Sequence, residues 1–171
     1  CFMALVLGVI LIVSSNNTLG ALEENNSKVA FANELTDAQM DLMDVHTALY
    51  KAMNWKQTGV DEKIITESFE TALKDFGKVK KTISTIDAKK QGVDPKVIKA
   101  LKGNLKAYED SAKQVIDFAP LDVSMANIFL NDCQSNFIPL DKNIGLLAAE
   151  ASAMAEKESN NKFFPDHQED P

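Results

Sequence analysis

The sequence predicts an all-α fold, an antiparallel up-down-up-down four-helix bundle preceded by part of a transmembrane helix. Three observations lead there. The 171-residue chain holds only 5 prolines and 7 glycines, and without alternating β-branched runs it lacks both the turns and the strands of a sheet-rich fold. Its apolar residues instead recur at alternating steps of four and three over four separate stretches, the spacing that keeps one helix face against a neighbour. With 45% hydrophobic residues, the chain can close one sizeable core but not two, so a single domain is expected.

Residues 1–13, CFMALVLGVILIV, carry no charge. The run is shorter than the roughly twenty residues that span a bilayer, and it reads as the C-terminal part of a transmembrane helix. A signal-peptide core, with cleavage near the LGAL stretch at 19–22, is the alternative, as is a buried helix of a soluble protein. Either of the first two places residues 14–160 outside the cytoplasm.

The first bundle helix is expected over about 15–56. Its seam is Phe31, Leu35, Ala38, Leu42, Val45, Leu49 and Ala52. The rhythm returns after Gly59 in a second helix over about 61–90, with Ile65, Phe69, Ala72, Phe76, Val79, Ile83 and Ile86. Asp61 is placed to cap it and Gly92 to end it, with Lys89 and Lys90 at its negative C-terminal end. Asp94 and Pro95 form a cap and first-turn pair for a third helix over about 95–119, whose seam runs from Ile98 through Tyr108 to Ala119. Pro120, Asp122 and Ser124 mark the last turn. A fourth helix over about 124–160 carries Ala126, Leu130, Cys133, Phe137, Leu140, Ile144, Leu147, Ala151 and Met154, with Pro139 expected to kink or break it. Residues 161–171 read as an acidic tail. Connections this short make neighbouring helices antiparallel.

Charge excludes one class of partner. The chain carries a net charge of −7, and all 18 of its basic residues are lysine. Nucleic-acid binding wants clustered positive charge and is not expected. Without arginine, any organic acid must be held by lysine, amides and backbone rather than by a bidentate guanidinium.

Catalytic and cofactor patterns are also missing. No glutamate stands three residues before a histidine, as in di-iron bundles, and no C-x-x-C-H string offers a covalent haem site. Two histidines and two cysteines are too few for a zinc site, and His46 is the one histidine placed for a hydrolytic triad. It flanks the seam and reads as a solvated or dimer-edge residue; haem ligation by His46 with the nearby methionines is the sharper alternative. The expectation is a non-enzymatic protein without a cofactor, and Cys133 reads as a lone buried thiol.

Two candidate surfaces remain. A second stripe on the first helix, Thr36, Met40, Met43, Thr47, Tyr50 and Asn54, faces outward and suggests a homodimer seam in which the first helices of two subunits pack together. Lys51, Asn54 and Trp55 near the end of the first helix, with Asn127 and Asn131 near the start of the fourth, fall at one height. They suggest a small-molecule site, polar groups around an apolar body. For Trp55 the competing reading is a side chain that closes the end of the core.

A membrane helix running into an extended four-helix bundle resembles the extracytoplasmic sensor domain of bacterial methyl-accepting chemotaxis proteins. The stretches ALYKAMNWKQTGVDEKI at 48–64, VIDFAPLDVSMANIFL at 115–130 and FIPLDKNIGLLAAE at 137–150 carry the likeness. The resemblance implies a homodimeric receptor in the inner membrane of a bacterium, with this domain in the periplasm. It also implies that ligand binding near the distal half shifts the fourth helix, and that a cytoplasmic signalling region reads the shift. Sensor histidine kinase ectodomains share the architecture and stand as an alternative, and an exported haem-carrying bundle is another. The arginines with which amino-acid-binding members hold a carboxylate are missing here, so that specificity does not carry over.

Overall fold

A computed structural model describes residues 2–163. Cys1 and most of the expected acidic tail, His167 included, lie outside the described residues. The chain is all-helical, with no strand among those residues. Its elements are α1 (Phe2–Thr58), α2 (Glu62–Ser84), the single turn α3 (Ala88–Gln91), α4 (Pro95–Phe118) and α5 (Val123–Phe163).

The four-three rhythm marks the buried faces. Every α1 seam residue from Phe31 to Ala52 is buried, as are Ile65 to Ile83 on α2, Ile98 to Ala119 on and just after α4, and Ala126, Leu130, Cys133, Leu140, Ile144, Leu147 and Ala151 on α5. All of these side chains except Ala38 belong to one hydrophobic core, and each fully buried aliphatic contributes about 1.5–3 kcal/mol relative to leaving it in water. α1 packs along both α2 and α5, and α4 along α5, while α2 and α4 approach each other closely at few points.

Side-chain hydrogen bonds fix the register. Gln39 donates to Asp141 Oδ1 at 2.8 Å, His46 Nε2 lies 2.8 Å from Gln134 Oε1, and Gln57 donates to Asn127 Oδ1 at 3.1 Å. Numbers rise on α1 as they fall on α5, so the two run in opposite directions. Gly145 allows the Gln39 contact, because a Cβ there would sit 3.0 Å from Gln39 Nε2.

Caps end the helices where the sequence provides them. Asp61 accepts from the Lys63 amide and Asp94 from the Lys96 amide, with Pro95 at the first position of α4. Asp122 accepts from the Ser124 and Met125 amides at the start of α5. Each such bond satisfies an amide that has no partner within its helix.

The expectations for the end of the second helix and for Pro139 change. The second helix stops at Ser84 instead of continuing to 90, because Asp87 accepts from the Lys89 and Lys90 amides and starts the separate turn α3. Gly92 ends that turn, not α2, with φ of 69°, and Lys89 and Lys90 sit in it. The apolar run and the first seam belong to one continuous helix, Phe2–Thr58. α5 runs unbroken through Pro139. The carbonyl that Pro139 cannot bond belongs to Ser135, and both residues are exposed, so water can satisfy it.

Candidate functional site

The end of α1 meets the start of α5 beside the α1–α2 turn. Gly59, at φ 77°, reverses the chain after α1, Val60 donates its amide to the Trp55 carbonyl at 3.0 Å, and Lys56 pairs with Glu62 at 2.6 Å. Asp122 sets the first turn of α5, which puts Asn127 and Asn131 four residues apart on one face. That face looks onto α1, and the Gln57–Asn127 hydrogen bond ties the two helices together.

An open recess of about 730 Å³ lies between them. Lys51, Asn54, Asn127 and Asn131 line it together with Thr47 and Tyr50, over a floor that includes the buried Met53 and Leu130. Four of the five expected ligand residues therefore meet in one place. Trp55 does not line the recess. It is half-buried against the core, and the Lys51 ammonium sits 4.5 Å from its ring centroid, a cation–π contact. The expected dimer residues extend from the same place: Thr47 and Tyr50 form one wall of the recess, while Met40 and Met43 lie farther along α1 and are 54% and 52% exposed. The ligand and dimer sets thus share a surface.

The recess offers amides, hydroxyls and one ammonium group. Such groups hold a polar or anionic small molecule by hydrogen bonds and charge. No nucleophile paired with a base stands in it, and among the described residues no group of three His, Cys, Asp or Glu side chains could hold a metal ion.

His46 is the residue that sequence reading misplaced. It is buried, 9% exposed, rather than solvated or at a dimer edge. Its Nδ1 lies 3.3 Å from the Tyr108 hydroxyl and its Nε2 2.8 Å from Gln134 Oε1. With Gln134 Oε1 as acceptor, Nε2 carries the proton and Nδ1 accepts from Tyr108. Both nitrogens are engaged, which leaves neither directed at an axial ligand position. The ring stacks on Phe137 at 4.0 Å and 9° and meets the edge of Tyr50 at 5.0 Å.

This cluster joins three helices. Burial pushes the His46 pKa below its ordinary value and outweighs the Gln134 hydrogen bond, which raises it. Burial likewise raises Tyr108 and pushes the Cys133 thiol up to about 11, with the Tyr108 and Ser111 hydroxyls countering that only in part. Cys133 is thus a buried, unreactive thiol. Asn136 donates to Ser111 Oγ at 3.2 Å and extends the polar network to the α4–α5 seam. The one sequence signal for this cluster was position: His46 directly follows the seam residue Val45, and a packed helix buries a stripe wider than a strict seam.

Compared with known protein families, curated proteins and solved structures, the chain matches none.

Proposed function

We propose that the chain is the ligand-sensing, extracytoplasmic domain of a bacterial membrane receptor of the methyl-accepting chemotaxis type. In this reading it is an antiparallel up-down-up-down four-helix bundle, dimerises through α1, faces the periplasm, and is anchored in the inner membrane by the helix that begins with the apolar run. Among the described residues no helix is long and apolar enough to cross a membrane, and residues 2–13 would supply only part of such a span.

The observation that carries the proposal is the continuity of α1. One helix runs from Phe2 through the apolar run to Thr58, so a displacement at the recess and a displacement at the apolar end are movements of one rod. At 1.5 Å per residue that rod is about 85 Å long. α5 lines the other side of the recess and runs back along α1, which gives a ligand two elements to shift against each other. A ligand that favours one packing over another changes the population of the two.

A thermal-shift screen of amino acids, organic acids and aromatic compounds tests this. A true ligand at one hundred times its Kd stabilises the fold by about 2.7 kcal/mol, and the double variant Lys51→Ala with Asn131→Ala should lose that gain. Equal stabilisation of the wild type and the double variant would remove the recess as the sensing site.

A further inference from the structure

A second cavity lies on the opposite flank, where α2 and α4 stand apart. It encloses about 210 Å³ and opens to the surface between those helices. Its inner wall is apolar, with Val45 and Leu49 from α1, Phe76 from α2 and Ala112 from α4, all of them buried. Gly77 forms part of the outer wall. It sits in mid-helix, where only proline is less favourable, yet its φ is not positive and a Cβ there would meet nothing within 4 Å. Neither backbone conformation nor close packing requires a glycine, and what it provides is room.

The mouth is charged. Lys80 and Lys113, from α2 and α4, both donate to Glu109 Oε1, at 2.9 and 2.7 Å. Together the three carry one net positive charge, and each ammonium keeps donors beyond the one it gives Glu109. An apolar cavity of about 150 Å³ is enough to take benzene, so this one has space for a single substituted ring.

We propose that the α2–α4 cavity is a ligand site for a small aromatic monocarboxylate, its ring against Phe76, Val45 and Ala112 and its carboxylate on Lys80 and Lys113. With no arginine in the chain, two lysines from different helices supply the anion contact that a guanidinium gives elsewhere. The proposal does not depend on the sensor reading or on the α1–α5 recess.

Titration of the full chain with sodium benzoate, followed by calorimetry and by NMR shifts of the cavity residues, tests it. Saturable binding is expected, with shifts centred on Phe76, Gly77 and Ala112, and with affinity that falls as salt rises. Lys80→Gln and Lys113→Gln should each raise Kd by about tenfold, benzyl alcohol should bind about tenfold more weakly than benzoate, and Glu109→Gln should tighten binding by removing the competing acceptor. Gly77→Leu, at an exposed position, should fill the cavity and abolish binding, with circular dichroism confirming that the variant is folded. The Lys51→Ala, Asn131→Ala double variant should bind benzoate like the wild type. The proposal fails if benzoate does not saturate the cavity residues, if benzyl alcohol binds as tightly, if folded Gly77→Leu binds unchanged, or if the recess double variant abolishes binding.

Discussion

Along the α1 seam, Leu35, Leu42 and Leu49 are fully buried aliphatic side chains, and their packing is without direction. One step off that seam, between Leu42 and Leu49, stands His46 with Tyr108, Gln134 and Phe137, a cluster in which almost every contact has a direction. The aliphatic stretches hold the helices together by area removed from water. The histidine cluster buries area too, with Tyr108 fully buried, but in addition it specifies which face of α4 and which turn of α5 must meet α1, because a register slip would leave buried polar atoms unpaired.

That contrast can be broken most severely at the aliphatic end. Leu42→Ala should cost about 2–5 kcal/mol, read as a lowered midpoint in urea unfolding. A cost below about 1 kcal/mol would mean that the seam is loosely packed and the contrast is overstated.

Tyr108→Phe sharpens it from the other side. The ring and its packing stay, and the hydroxyl that serves His46 Nδ1 and also meets the Cys133 thiol is lost, so the expected cost is about 1–3 kcal/mol, mainly for the unsatisfied buried nitrogen of His46. If urea unfolding shows no change, water or another donor reaches His46, and the cluster is less closed than its geometry implies.

The smallest effect is that of pH. The folded-state pKa of His46 lies below its ordinary value of 6.5, so the unfolded chain binds the proton more readily. The stability that depends on neutral His46 is therefore fully present above about pH 6.5 and is lost as pH falls toward the depressed folded value. Melting temperature should fall more steeply with acidification in the wild type than in His46→Gln, and the difference between the two curves isolates the histidine from the carboxylates. Parallel curves would show that His46 does not titrate on unfolding.

Much of this architecture is legible in the sequence. The seams named the buried faces because burial is the cause of the periodicity, and Asp61, Asp94 and Pro95 marked helix starts because amides without helical partners select such residues. Ile86 keeps the rhythm and so predicts a longer second helix, while the local preference of Asp87 for capping two following amides interrupts the backbone. His46 was misjudged for a related reason. Periodicity tells which residues face inward, but it cannot tell that a polar residue beside the seam will find Tyr108 on α4 and Gln134 on α5, partners 62 and 88 positions away.

The recess was partly legible. Counting residues from the turn put Lys51 and Asn131 at one height, and a shared height is what antiparallel helices of equal rise per residue preserve. Trp55 fell outside the recess because helix position sets direction as well as height, and one residue of rotation turns it away from Asn54. The α2–α4 cavity could not be read at all. Its cause is a spacing between two helices, and Gly77 is a single small residue within an otherwise regular pattern.

Trp55 is the chain's only tryptophan, half-buried at the end of α1 and covered by the Lys51 ammonium. Intrinsic fluorescence of this protein is consequently a local gauge, which reports the hydration of one turn and the presence of one cation over an indole. An emission curve followed through denaturation describes that end of the molecule, and it describes the whole only where it coincides with the loss of helical ellipticity.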